Sequence, residues 1–112
     1  MKRVIAVIVL SAFPASAQTH TALLSWTDTQ NPGNGATTYN VYRAPGLCSG
    51  TPTFAKLASG VTGSTYADAT VTVGTFCYQV TATVNALEGP PSPEASATVG
   101  PYAPTQLSIT IK

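Results

Sequence analysis

The chain has 112 residues, enough for one domain. Hydrophobic residues make up 44% and charged residues only 8%, against about 25% charged in an ordinary soluble domain. That scarcity excludes a nucleic-acid binder built on a basic stripe, because too few Lys and Arg are present to neutralise a row of phosphates. It equally excludes a charged, disordered linker.

Two of the basic residues, Lys2 and Arg3, open the chain. An apolar run follows from Val4 to Leu10 and continues through Ser11-Ala12-Phe13. Pro14 breaks it, and Ala15-Ser16-Ala17 closes it. A basic start, a short apolar core and an Ala-x-Ala site predict a secretory signal peptide, residues 1–17. A membrane anchor is the weaker reading, because the run is about ten residues long and a span needs about twenty. Cleavage after Ala17 leaves residues 18–112, with Arg43, Lys56 and Lys112 against Asp28, Asp68, Glu88 and Glu94. The net charge of that product is −1, and no second apolar run is long enough to span a bilayer. The expectation is a secreted, extracellular protein, periplasmic in transit, with no membrane insertion after cleavage.

The elements then come in chain order. Thr21-Ala22-Leu23-Leu24-Ser25-Trp26 is a strand with Ala22, Leu24 and Trp26 inward. Asn31-Pro32-Gly33-Asn34-Gly35 is a loop. Tyr39-Asn40-Val41-Tyr42-Arg43 alternates, with Tyr39 and Val41 on one face, and Ala44-Pro45-Gly46 ends it. Phe54-Ala55-Lys56-Leu57 and Ser64-Thr65-Tyr66-Ala67-Asp68 are short strands. Phe76-Cys77-Tyr78-Gln79-Val80-Thr81-Ala82 alternates with Phe76, Tyr78, Val80 and Ala82 inward, which turns Cys77 outward. A loop containing Pro90, Pro91 and Pro93 leads to a last body strand, Ala95-Ser96-Ala97-Thr98-Val99. Thr, Val, Tyr, Gly and Pro dominate, the vocabulary of strands and turns. Six short strands with regular turn signals predict an all-β sandwich.

Cys48 and Cys77 are the two cysteines of the exported chain. An even count in an oxidising compartment predicts a disulfide. A metal site would need more ligands, and the one histidine is His20.

Trp26 on an early strand, Tyr39-x-Val41-Tyr42-Arg43 on the next, and Gly74-Thr75-Phe76-x-Tyr78-x-Val80-x-Ala82 together resemble a fibronectin type III domain. The resemblance covers about residues 20–99. It implies an immunoglobulin-like sandwich with strands A, B and E in one sheet and C′, C, F and G in the other. It also implies that the ends carrying Cys48 and Cys77 meet. One departure is local. The family usually opens strand F with a tyrosine whose hydroxyl ties down a nearby turn, and Phe76, which stands there, has no hydroxyl.

The larger departure concerns strand A. After cleavage only Gln18, Thr19 and His20 precede the second strand of the family pattern, so strand A is missing from the N-terminus. The body is then residues 18–100, with Ala22, Leu24 and Trp26 on an open acceptor edge. Residues 101–112, Pro-Tyr-Ala-Pro-Thr-Gln-Leu-Ser-Ile-Thr-Ile-Lys, resemble a first strand of the family, with Leu107, Ile109 and Ile111 on one face. A lone alternating apolar strand needs a partner. In the implied fold this tail leaves the pole opposite to the one where strand A begins. Folded back on its own body it would run parallel to strand B; entering another copy it would run antiparallel, as strand A does. The expectation is head-to-tail donation of this strand to the next copy. A second domain of a longer gene, or non-standard docking within one chain, are the other readings of the tail.

Convergent chemistry is not evident. His20 stands alone, Asp28 and Asp68 sit where Asp caps turns, and Glu88 and Glu94 flank the proline-rich loop. There is no phosphate cradle, no nucleophile elbow and no metal-ligand spacing, so no catalytic residue, metal or cofactor is expected. The expected function is a secreted, non-enzymatic structural subunit whose partners are copies of itself. The alternatives are a monomeric adhesion or ligand-binding module for a cell-surface protein or glycan, and an accessory domain of a secreted glycan-degrading system.

Overall fold

A computed structural model describes residues 4–12, 20–31 and 37–101. They form eight strands: β1 (Val4–Ala12), β2 (His20–Asp28), β3 (Thr37–Pro45), β4 (Ala55–Val61), β5 (Thr65–Asp68), β6 (Gly74–Val84), β7 (Leu87–Pro91) and β8 (Ala95–Val99). One sheet has the order β1-β2-β5, and the other has β4-β3-β6-β7, with β8 also pairing with β6. Every pairing is antiparallel. The partition of strands between the sheets is the one the resemblance implies.

The core lies between the sheets and follows the alternation. Ala22, Leu24 and Trp26 of β2 face Tyr39 and Val41 of β3, Tyr78, Val80 and Ala82 of β6, and Ala97 and Val99 of β8; all are buried. Trp26 and Tyr39 meet with ring centroids 5.4 Å apart and planes tilted by 57°, a favourable edge-on aromatic arrangement. Phe76 is half-buried and packs against this cluster.

Two strands are additions to the sequence reading. β1 is the apolar run ahead of Phe13. The sequence reading treats residues 1–17 as a leader and counts no strand before β2; in the full-length chain Val4–Ala12 takes the first-strand place. A short apolar run bounded by breakers fits a buried strand as well as a leader core, so periodicity alone does not separate them. β7 is the other addition, since residues 85–93 read as a loop. Its prolines are compatible with pairing because β7 lies on an edge, where a missing N–H faces no neighbour. Between β7 and β8, Ser92 bridges the break. Its backbone N–H donates to the Val80 carbonyl at 2.7 Å, and its hydroxyl oxygen accepts from the Val80 N–H at 2.9 Å.

The β6–β7 hairpin closes through Asn85 and Ala86, both at positive φ, 51° and 67°. Val84 pairs with Leu87 across this two-residue turn. That is the backbone of a type I′ turn, which matches the twist of the flanking strands but strains a residue with a Cβ.

Candidate functional site

The candidate site is the β2 edge. Ala22, Leu24 and Trp26 point into the sandwich, with exposures of 0, 1 and 4%. What they leave for pairing is the backbone on either side of their strand. One side of β2 pairs with β5, from Ala22 opposite Asp68 to Ser25 opposite Thr65. The other side pairs with β1 along its whole length, from Val4 opposite Asp28 to Ala12 opposite His20.

The polarity of this slot is fixed by its two ends. Asp28 marks the far pole: its Oδ2 accepts from the Tyr39 hydroxyl at 2.9 Å, and Tyr39 pairs with Ala82, near the β6–β7 turn. His20 marks the near pole, together with Gly74, Pro45 and Val99, since Gly74 pairs with Val99 and Pro45 with Phe76. β1 therefore enters at the far pole and runs to the near one. The body strand β8 ends at the near pole, and the chain reaches Pro101 there. Leu107, Ile109 and Ile111 lie outside the described residues, as do residues 32–36 and residues 13–19, where the sequence predicts cleavage.

Both poles carry hydrogen-bonded carboxylates, half-buried at Asp28 and buried at Asp68. At the far pole, Asp28 Oδ1 accepts from the N–H groups of Gln30 and Asn31, both at 3.1 Å, and Oδ2 accepts from Asn31 Nδ2 at 2.8 Å. This is the turn cap expected of an Asp in that position. Burial pushes the Asp28 carboxyl up, but the hydrogen bonds from Asn31, Gln30 and Tyr39 outweigh it and hold it below its ordinary value. Burial, helped by the Asp28 charge, pushes the Tyr39 phenol up to about 12.

At the near pole, Asp68 is more than a turn cap. It is 1% exposed and joins the sheets. Oδ2 accepts from the Tyr78 hydroxyl at 2.7 Å and from Arg43 Nη1 at 2.8 Å. Oδ1 accepts from the Thr70 N–H at 3.0 Å and from the Thr70 hydroxyl. Burial alone would raise this carboxyl; the bonds from Thr70, Tyr78 and Arg43 more than offset it, and its pKa lies below the ordinary value. Tyr78 is pushed up, first by burial and then by Asp68. So the hydroxyl that Phe76 lacks is supplied two residues further on, by Tyr78.

The outer face of the larger sheet carries a third cluster that the sequence did not reveal. Glu88 Oε2, on β7, accepts from the Tyr42 and Thr81 hydroxyls and sits 3.4 Å from Asn40 Nδ2. Bonds from Thr81 and Tyr42 lower the Glu88 carboxyl, and the bond to Glu88 raises Tyr42. Lys56 Nζ lies 5.7 Å from the centre of the Tyr42 ring. Tyr42 is thus outward, as read, but held by a residue 46 positions away. Nothing local in the sequence pairs them.

Cys48 and Cys77 form a disulfide, with Cα atoms 5.1 Å apart. Cys77 faces away from the core cluster, as the alternation required, yet its exposure is 0%. Outward is therefore not exposed here, because the bridge to the β3–β4 loop covers it. Among the described residues, the one grouping of potential metal ligands is Cys48, Cys77 and Glu94, and its two sulfurs are bonded to each other. A recess of about 350 Å³ is lined by Arg43, Pro45, Thr53, Lys56, Leu57 and Phe76, among others, with the Arg43 guanidinium 5.1 Å from the Phe76 ring centre. No helix among the described residues is long and apolar enough to cross a membrane.

No protein-family model matches the chain, and no curated protein sequence does either. Solved structures do. An Fn3-like protein from Clostridium thermocellum is similar at 27% identity, with 92% of this chain and 93% of that one covered and a TM-score of 0.58. The third fibronectin III domain of human KIAA0343 protein is similar at 13% identity, over 91% of this chain and 85% of that one, with a TM-score of 0.60. A β-1,2-glucanase from Parabacteroides distasonis aligns at 21% identity over 92% of this chain but only 13% of its own, with a TM-score of 0.61. Two antiparallel sheets with this strand order, and neighbours of this kind over nearly the full length, give the chain the fold of a fibronectin type III domain.

Proposed function

We propose that this protein is an exported structural subunit. Residues 1–17 are removed as a leader, and the vacated side of β2 takes residues 101–112 of another copy. Repeated, this makes a head-to-tail extracellular filament. The reading is structural rather than catalytic, and its partner is a second copy of the same chain.

The observation that carries it is the polarity of the slot. A first strand enters beside Asp28 and ends beside His20, whereas the chain leaves its own body at the His20 pole, after Val99 pairs with Gly74. The slot spans nine residues of β1, or about 30 Å of strand. A tail that first travelled that distance to enter its own slot antiparallel would spend about nine residues on the way. The tail of a neighbouring copy, placed pole against pole, arrives at the correct end. Burying Leu107, Ile109 and Ile111 contributes roughly 1.5–3 kcal/mol each, and the backbone ladder adds to it. Association entropy opposes this by at least several kcal/mol, so assembly depends on concentration.

The test is electron microscopy of residues 18–112 beside residues 18–100. Filaments from the first and none from the second are expected. A stable monomer of residues 18–112 at high concentration overturns the reading. The second reading, a monomeric ligand-binding module, is favoured by the recess beside Arg43, Lys56 and Phe76 and by the resemblance to a segment of a glucanase. It becomes the better one if that monomer retains a folded spectrum and binds a glycan.

A further inference from the structure

We infer that Val4–Ala12 is a placeholder, a strand of the chain's own that keeps the β2 edge closed to other copies until the connection at 13–19 is cut. This rests on the assembly reading above and adds a regulatory step to it: removal of the leader is what licenses assembly.

The placement argues for it directly. β1 occupies the full edge, with every residue from Val4 to Ala12 paired to a residue of β2 from Asp28 back to His20. It lies in the antiparallel sense that an incoming strand must adopt, so placeholder and donor cannot both be present. β2 has no third side, because β5 holds the other one between Ala22 and Ser25. The segment is also suited to a temporary role by composition. Val-Ile-Ala-Val-Ile-Val-Leu-Ser-Ala is apolar enough to read as a leader core and β-branched enough to read as a strand.

Covalent attachment explains why the donor waits. A strand held to its slot by a short stretch of its own chain faces that slot at an effective concentration in the millimolar range. A tail from another copy at micromolar concentration competes at a disadvantage of about a thousandfold, for strands of equal intrinsic affinity. Once residues 1–17 are cut, that advantage is lost. The released strand must then compete as a free peptide, present at one per copy as the tails are, so the roughly thousandfold bias toward the placeholder is gone.

The test uses the full-length chain with a site-specific protease sequence placed within residues 13–17. Two quantities are read before and after cutting: particle size by light scattering, and hydrogen exchange of the β2 amides. The uncut chain is expected to stay monomeric at concentrations well above those at which the cut chain assembles, and its β2 edge amides to be protected. Assembly of the uncut chain at the same concentration as the cut chain overturns the placeholder. A double substitution, Val7→Pro with Val9→Pro, removes two ladder donors from β1. It is expected to speed exchange of the β2 edge amides by about tenfold or more; unchanged protection overturns the inference. If cutting exposes the β2 amides but no assembly follows, the placeholder stands and the filament reading fails. If cutting leaves β2 protected and the chain monomeric, the segment is a permanent strand and the inference is overturned.

Discussion

The Tyr78 hydroxyl donates to Asp68 Oδ2 across 2.7 Å, inside the sandwich, from one sheet to the other. Both side chains are almost fully buried, and Arg43 and Thr70 complete the carboxylate's partners. A buried charge with every lone pair met is tolerable; one deprived of a donor is not. Tyr78→Phe keeps the ring and deletes the bond. It is expected to destabilise the fold by about 1–2 kcal/mol, read from the urea midpoint. Phe76→Tyr in the same background does not restore it, because the hydroxyl would stand two residues from Asp68's reach.

Acid should weaken the protein through the same carboxylates. Asp28 and Asp68 both have folded pKa values below the ordinary 3.8. Their contribution is present in full above that value and is lost as pH falls through the folded values. Stability is therefore flat near neutrality and drops below about pH 4. Asp68→Asn should flatten that drop while lowering stability at pH 7, as followed by thermal unfolding across the acid range.

The alkaline limit has the opposite sign. Tyr39 is raised from 10.0 to about 12 in the folded state, so its contribution is present below 10 and is lost as pH rises through about 12. Spectrophotometric titration should show Tyr39 ionising late, and Asp28→Asn should bring it earlier by removing the neighbouring charge.

Reducing the Cys48–Cys77 disulfide releases a loop with a sequence separation of 29. The chain-entropy cost of losing such a constraint is about 3.5 kcal/mol. The Cys48→Ala, Cys77→Ala double variant should show a comparable loss in denaturant titration. A fall much larger than this would mean that the fully buried Cys77 side also loses packing.

Ala86 occupies a left-handed position, φ 67°, in the β6–β7 turn. Glycine adopts that conformation without a Cβ penalty. Ala86→Gly is expected to raise stability by roughly 0.5–1 kcal/mol, visible as a higher midpoint with an unchanged denaturant slope.

The alternation along β2, β3 and β6 was enough to place Ala22, Leu24, Trp26, Tyr39, Val41, Tyr78, Val80 and Ala82 in the core, because a period of two puts successive side chains on opposite faces whatever the partner strand. The pairing of Cys48 with Cys77 was likewise legible, from count and compartment alone. The partners of the polar residues were not. Asp68 reads locally as a turn cap, and only the approach of β3 and β6 makes it a link between sheets. Tyr42 and Glu88 are brought together by the β6–β7 hairpin, whose proline content hides a strand. The use of Val4–Ala12 depends most on the third dimension. An apolar run has no preferred neighbour in sequence, and what it becomes is decided by the unpaired edge that β2 offers it. Side-chain periodicity is local and survives in the sequence; hydrogen-bond partners and edge occupancy are set by which backbones the fold brings within 5 Å of each other, and so belong to the tertiary structure.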